Sequence, residues 1–389
     1  MASLFFGFLL SLAVWDYEID TKYRSYFYPV AFAMSGPVLE GRMKFGIIGG
    51  GMIAAFHAKA IKAISGSSLH AVYARSADKA EAFAKEYGCE AFTDLDAFLD
   101  SGIDAVTIAT PSGYHMEPTL AAAKAGKHVI CEKPLEVTVE RIDQMVSACR
   151  DANVTLSGIF NRRFNRGVEV LKDAVDTGRF GKLTLCSAYI KWFRTQEYYD
   201  SGAWRGTWAL DGGGAVMNQG IHTVDQLIYL AGNVKAVCAF ADCLAHERIE
   251  VEDTAVAVLE FENGAMGTIE ASTACYSKAG HPAQVQICGT TGSAFLQDDK
   301  ITAWDFLNEN PEDDEIRKTL SPEAEVTGLG AADPSAINFE GHRLNFEDAL
   351  KAIQEGREPS INGVEARRSI AVIQALYTSA KEGGKRIEV

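Results

Sequence analysis

Three glycines, Gly49-Gly50-Gly51, stand where a short β-rich run, 45–48, gives way to an alanine-rich helical pattern. Strand, glycine turn and helix in that order suit a diphosphate, because a helix N-terminus offers unpaired N–H groups and the positive end of its dipole. Gly49 allows the tight turn, Gly51 lets backbone amides approach an anion, and Ala54 permits close helix–strand packing. Met52 and Ile53, which open the helix, fall at the same place. Further on, Glu132-Lys133-Pro134 ends a later apolar run. There the lysine can donate a hydrogen bond to a reacting oxygen, and the proline ring stiffens the turn. A third segment, from Gly212-Gly213-Gly214 to Asp225, opens a helix in which Asn218 and His222 are i, i+4 neighbours on one face. A histidine there can take the proton of a hydroxyl while the carbon gives up hydride, and its ordinary pKa suits the task.

Alternating elements position these groups. Apolar strands are expected over 44–48, 69–74, 90–92, 105–109, 128–131 and 154–160, with helical patterns between them. Such βαβ units predict an α/β doubly wound (Rossmann) parallel sheet over 43–160. Ligands bind such sheets outside the carboxyl ends of the strands, so Thr110-Pro111-Ser112, His115, Glu132 and Lys133 should border the cofactor. The second strand ends in Ala74-Arg75-Ser76, where an acid would hold a ribose 2′-hydroxyl and select NAD. Its absence beside Arg75 and Ser76 favours NADP; if Arg75 stacks on adenine instead, NAD binds as well.

After Phe160 the pattern changes. A helix over 168–176 precedes strand-like runs at 183–193, 234–244, 254–261, 266–274, 283–288 and 293–296, with Asn263-Gly264 a hairpin turn. These predict an α+β domain over 161–345 with a large, mostly antiparallel open sheet. Residues 308–334 read as an acidic surface excursion. Helices at 346–354 and 364–380 close the chain and should pack back on the fold as a segment 346–389.

The chain has 389 residues, 47% of them hydrophobic, and a formal net charge of −15. No basic excess is available to replace phosphate counterions, which argues against nucleic acid. Eight cysteines without a Cys-x-x-Cys pair read as buried thiols of a cytoplasmic protein, and no clustered metal-ligand spacing appears. The apolar run within residues 1–42 is short for a bilayer and lacks a basic n-region, so no membrane is expected. A misassigned start, an unusual signal or anchor, and a genuine extension compete for it. The first is favoured, because Met43 directly precedes the first strand.

Taken together, Glu132-Lys133-Pro134, the glycine-rich helix and the C-terminal Gly356-Arg357-Glu358-Pro359 with Glu365-Ala366-Arg367-Arg368 resemble the Gfo/Idh/MocA oxidoreductases over about 43–389. The resemblance implies hydride transfer to or from a sugar or cyclitol, with Lys133 and His222 catalytic, and sheet-to-sheet homodimers or homotetramers. In the family an Asp-x-x-x-His pair is common; here it becomes Asn218-x-x-x-His222, which makes Asn218 the expected neutral orienter of His222 and a third candidate catalytic residue. Gln196-Glu197-Tyr198-Tyr199-Asp200, Trp204-Arg205-Gly206-Thr207-Trp208 and Met217-Asn218-Gln219 are similar to the branch of sugar 3-dehydrogenases acting on UDP-N-acetylglucosaminuronate or glucose 6-phosphate. Such substrates are anions, for which Arg162, Arg163 and Arg205 are the candidate partners and Tyr199 a candidate contact. An inositol substrate, a non-catalytic NADP or sugar sensor, and an NAD-dependent glycosidase-like elimination enzyme are the alternatives.

Overall fold

Strand β1, Met43–Ile48, is buried from Phe45 onward, and a run apolar on both sides needs cover on both faces. The computed structural model, which describes residues 42–321 and 339–389, supplies that cover. Strands β1, β2 (Ser67–Tyr73), β3 (Glu90–Phe92), β4 (Ala105–Ile108), β5 (His128–Cys131) and β6 (Leu156–Gly158) form a parallel sheet in the order 3-2-1-4-5-6. Helices α1 (Met52–Ala63), α2 (Ala77–Tyr87), α3 (Leu95–Leu99), α4 (Met116–Lys124) and α5 (Val139–Asp151) connect them. Strand order reverses between β1 and β4, which opens the ligand crevice at their carboxyl ends. The reading of residues 1–42 lies, except for Arg42, outside the described residues.

The second sheet has eight strands. These are β7 (Leu183–Lys191), β8 (Val234–Asp242), β9 (Thr254–Phe261), β10 (Met266–Ser272), β11 (Gln284–Gly289), β12 (Gly292–Gln297), β13 (Lys300–Phe306) and β14 (Ile387–Glu388), in the order 13-12-11-7-10-9-8-14. All its pairs are antiparallel except β7 with β10. Two strands were not anticipated. A register shift opposite Phe295 breaks the alternation of β13, and β14 is too short to carry a period. Within the expected surface excursion, 322–334 lie outside the described residues, and 313–320 form a surface helix, α9 (Asp313–Leu320), in which Asp313 alone is buried. Its acidic first turn and basic last turn complement the helix dipole.

One face of this sheet lies against α8 (Ile221–Ala231), with Cys186, Ala188 and Ile190 buried. On the other, Leu185, Phe240, Val256, Val258 and Met266 are 50–70% exposed. Two late helices return to the first sheet and its neighbours. α10 (Glu340–Glu355) packs Phe346, Ala349 and Leu350 into the core beside α1. α11 (Gly363–Lys381) lies along α5, α8 and β8.

Arg163 joins these elements. It lies in a short turn, Asn161–Phe164, ahead of α6 (Arg166–Asp176). Its Nε and Nη2 donate to both oxygens of Asp225 at 2.8 and 2.7 Å, and its Nη1 to Glu365 at 3.1 Å. Ser369 Oγ donates to Asp225 as well, and the guanidinium stacks 4.5 Å from the Tyr229 ring centre. The expectation that Arg163 binds substrate is therefore corrected: its donors are spent inside the core. Arg163→Ala strands a buried carboxylate and should cost about 3–5 kcal/mol of stability in urea unfolding. Replacing Asp225 by Leu in the same chain should recover much of that loss.

Candidate active site

A cavity of about 2030 Å³ runs from the β1–β4 crevice to the second sheet. At its first end Gly49 has φ +118°, and a Cβ there would sit 2.6 Å from the Ala109 carbonyl oxygen, so only glycine fits. Gly51 is the N-cap of α1, no side chain caps it, and the first turn holds no acid. A Cβ on Gly51 would meet nothing within 4 Å. These residues fit the diphosphate of a dinucleotide: uncapped helix amides, no competing carboxylate and room for close approach. Met52, Ile53, Ala74, Arg75, Ser76, Thr110, Pro111 and Ser112 line the same end. The Arg75 guanidinium lies 5.4 Å from the Tyr114 ring centre, and Lys79, unanticipated, also lines the wall.

His115 does not line the cavity. Its ring nitrogens lie 2.9 Å from the Pro134 and Thr110 carbonyl oxygens, so it ties the loop after β4 to the turn after β5. Glu132 does line the cavity, and its carboxylate ties parts of the wall together. Its Oε1 meets His57 Nε2 at 2.9 Å and His342 Nε2 at 3.3 Å, and its Oε2 accepts from the Lys133 amide at 3.0 Å. Burial opposes this carboxylate, but the bonds from His342 and His57 outweigh it and hold its pKa well below the ordinary range. Thr107 Oγ1 meets the other His57 nitrogen at 2.9 Å, and Asn161 Nδ2 the other His342 nitrogen at 3.2 Å. The fold thus gathers two histidines and a carboxylate that lie far apart in sequence, within 4.8 Å of one another.

At the far end Lys133 Nζ donates to the Asn218 carbonyl at 3.1 Å. Burial lowers its pKa, and the carboxylates of Glu132 and Asp211 offset only part of that. The peptide Lys133–Pro134 is cis. His222 faces the cavity from the first turn of α8. Its Nδ1 is buried with no hydrogen-bond partner among the described residues. Burial, then the charges of Lys133 and Arg162, push its pKa well below the ordinary value, so the ring is neutral. A neutral imidazole can accept a proton from a substrate hydroxyl, and Lys133 can hold the reacting oxygen. When bound, the dinucleotide supplies the hydride acceptor or donor.

Asn218 does not orient His222, contrary to the sequence expectation. Residues Ala215–Gly220 form a π turn, with the Gln219 amide bonded to the Gly214 carbonyl, and this wider turn changes which way residue 218 faces. Its Nδ2 donates to Asp211, and its Oδ1 accepts from Gln219 Nε2 at 3.1 Å. Asp211 was not anticipated, although an acid directly before three glycines was a readable signal. Burial raises its pKa to about 6 against bonds from the Gly206 amide and Asn218. The glycines themselves make room: a Cβ on Gly214 would sit 1.9 Å from the Glu252 carbonyl oxygen. Buried Glu252 accepts from the Gly214 and Val216 amides at 3.0 and 2.9 Å and so fixes the start of the turn.

Three guanidinium groups meet here. Arg162 Nη1 is buried without a hydrogen-bond partner among the described residues and lies 3.9 Å from Asp298 Oδ1. Arg205 lies between the Tyr198 and Trp204 rings at 4.3 and 4.6 Å. Arg194, which sequence reasoning missed, reaches Gln219 Oε1 with its Nε at 3.0 Å. Tyr199 is corrected: it is buried, bonded to Thr273 Oγ1 at 2.9 Å and packed on His246. Its neighbour Tyr198 lines the cavity instead. On the single-turn helix α7 (Gln196–Asp200) adjacent residues point in different directions, so one of the pair must face the core.

If His222 is the proton acceptor, activity on the alcohol falls only when it becomes protonated. The acidic limb of kcat/KM should then lie below about 6.5, the ordinary histidine value. Arg162→Ala removes a positive neighbour, so the His222 pKa rises and the limb should move up in pH. Asp211, whose charged neighbours are Arg205 and Lys133, should not respond to that change. An unmoved limb in the pH–rate profile would assign it to another group.

The comparisons agree with this geometry. Residues 43–160 match the family described as oxidoreductase, NAD-binding Rossmann fold, and residues 168–295 the GFO/IDH/MocA C-terminal domain. The myo-inositol 2-dehydrogenase of Thermotoga maritima is 28% identical over 351 residues, 87% of this chain and 97% of that protein. The WlbA dehydrogenase from Bordetella pertussis, solved in complex with NADH and UDP-GlcNAcA, is 33% identical with a TM-score of 0.79. That match covers 90% of this chain and 99% of the other. The WlbA protein of Chromobacterium violaceum, solved with the same two ligands, is 30% identical with a TM-score of 0.81, covering 92% and 99%. Among the described residues no helix is long and apolar enough to cross a membrane. With a dinucleotide crevice, a lysine–histidine pair at its far end and both halves matched, this chain belongs to the GFO/IDH/MocA oxidoreductase family.

Proposed function

We propose that the protein interconverts a ring hydroxyl and a ketone on an anionic sugar derivative, a sugar nucleotide or sugar phosphate, using a nicotinamide dinucleotide. The observation that carries this reading is the convergence of Arg162, Arg194 and Arg205 on the cavity end that holds Lys133 and His222. Guanidinium groups pair with carboxylate or phosphate through strong, directional bonds, and Arg162 Nη1 has no hydrogen-bond partner to displace among the described residues. In this reading His222 takes the hydroxyl proton, Lys133 bonds the reacting oxygen, and Asn218 holds Lys133 through its carbonyl. The UDP-GlcNAcA bound by the similar WlbA enzymes is the first substrate to try, with free and phosphorylated sugars and an inositol as comparisons.

The dinucleotide reading is NAD(H) with tolerance of NADP(H). Arg75 beside Tyr114 supports stacking on an adenine, and no carboxylate ends β2 to select against a 2′-phosphate. The exposed row of Leu185, Phe240, Val256, Val258 and Met266 supports a sheet-to-sheet homodimer or homotetramer.

Reduced-nicotinamide absorbance over the substrate panel tests the activity. His222→Ala should lower turnover on the order of 10²–10⁴-fold with cofactor affinity nearly intact. Lys133→Ala should lower turnover and weaken the cofactor too. No turnover of any anionic sugar sinks the substrate reading. In fluorescence titrations Arg75→Ala should weaken NADH and NADPH alike, whereas a loss confined to NADPH would mean that Arg75 serves the 2′-phosphate. Light scattering at micromolar concentration should give a dimer or larger, and Val258→Asp should shift it toward monomer; a monomeric wild type removes the oligomer reading.

A further inference from the structure

The side-chain amides of Asn218 and Gln219 each have a donor end and an acceptor end, and their neighbours decide which way each points. Asn218 Nδ2 donates to Asp211 Oδ1, while Asp211 Oδ2 accepts from the Gly206 amide at 2.8 Å. Both oxygens of that carboxylate are therefore acceptors. Asn218 Oδ1 accepts from Gln219 Nε2 at 3.1 Å, and Gln219 Oε1 accepts from Arg194 Nε at 3.0 Å. A guanidinium can only donate. Turning over Asn218 would set oxygen against the Asp211 carboxylate, and turning over Gln219 would set nitrogen against the guanidinium. The chain between the acid and the arginine thus runs in one direction.

That direction reaches a fifth residue. Gln219 Nε2 also donates to Tyr198 Oη at 2.8 Å, and Arg205 Nη1 donates to the same oxygen at 2.6 Å. With these donors on its oxygen, and Arg194 hydrogen-bonded to it as well, the phenol meets any further partner through its own O–H. Tyr198 lines the cavity beside Asn218, Gln219 and His222.

We propose that Asp211, acting through Asn218 and Gln219, is a positioning residue that leaves Tyr198 as a hydrogen-bond donor to an acceptor atom of the substrate, a carbonyl, carboxylate or phosphate oxygen. The inference rests on the far end of the cavity being the substrate subsite. It assigns Tyr198 no part in moving the proton. Its role is selective: a substrate offering only a donor at that point meets a second donor and is disfavoured.

Two measurements test it. Exchange of nitrogen-15-labelled side-chain amides reads the chain without substrate, the Gln219 signal being identified by its loss in Gln219→Glu. Both Gln219 Nε2 hydrogens are bonded, so they should exchange roughly tenfold or more slowly than exposed amides. Asp211→Asn, which gives the anchor a donor end, should remove that protection, and Asp211→Asn combined with Asn218→Asp should restore it. With UDP-GlcNAcA and NAD as probes, Tyr198→Phe should raise KM about tenfold or more at unchanged NADH affinity. Asp211→Asn should raise KM as well, and the exchanged pair should recover it. A Tyr198→Phe enzyme with wild-type KM, or an exchanged pair as impaired as Asp211→Asn, overturns the proposal. If the wild type turns over no anionic sugar, the reading of function fails, and amide exchange alone then decides the directed chain.

Discussion

One carboxylate holds the two ends of the site in register. Glu132 follows β5 and bonds His57 on α1, His342 on α10 and the amide of Lys133. The helix whose N-terminus fits the diphosphate, the late helix packed beside it and the lysine proposed to meet the reacting oxygen therefore share one anchor. A buried carboxylate left unpaired would be costly, so each partner is under pressure to stay in place. His115 adds a second tie between the loops after β4 and β5. Lys133 is positioned by this frame more than by its own contacts, since among the described residues its Nζ has a single hydrogen bond, to the Asn218 carbonyl.

The second constraint is electrostatic. In a chain with a net charge of −15, Lys133, Arg162, Arg194 and Arg205 gather at one end of one cavity. Mutual repulsion and loss of water both act against such a cluster, which is why burial lowers the pKa of Lys133, Arg162 and Arg194. Asp211 and Asp298 offset part of the charge from the wall. Arg162 Nη1, still without a hydrogen-bond partner among the described residues, is a donor that an anionic ligand would satisfy. Burial first, and then the charges of Lys133 and Arg162, keep His222 neutral, so the groups that would attract an anion also help to hold the imidazole in its neutral form.

The architecture was legible because its signals are local. Strand–turn–helix alternation, a glycine turn after an apolar run and period-2 stretches each act over a few residues, and they carried both sheets apart from β13 and β14. The register shift opposite Phe295 hid β13, since a bulge shifts every later side chain to the other face. The Asn218–His222 pairing was read from ordinary helical spacing, and the π turn at Ala215–Gly220 removed the basis for that reading.

What the sequence determined by itself is the set of groups that local chemistry demands: the glycine turn at Gly49, the Glu132-Lys133-Pro134 turn and the histidine that opens α8. What only the tertiary structure decided is which member of each adjacent pair faces the cavity. Arg162 lines it because Asp225 and Glu365, distant in sequence, claim Arg163. Tyr198 lines it because Thr273 and His246 hold Tyr199 in the core. Asp211 joins the site through its bond to Asn218, and Arg194, which lines the cavity, is set by its bond to Gln219. Neighbours along the chain carry nearly the same local signal, and long-range hydrogen bonds, which must be satisfied once buried, choose between them.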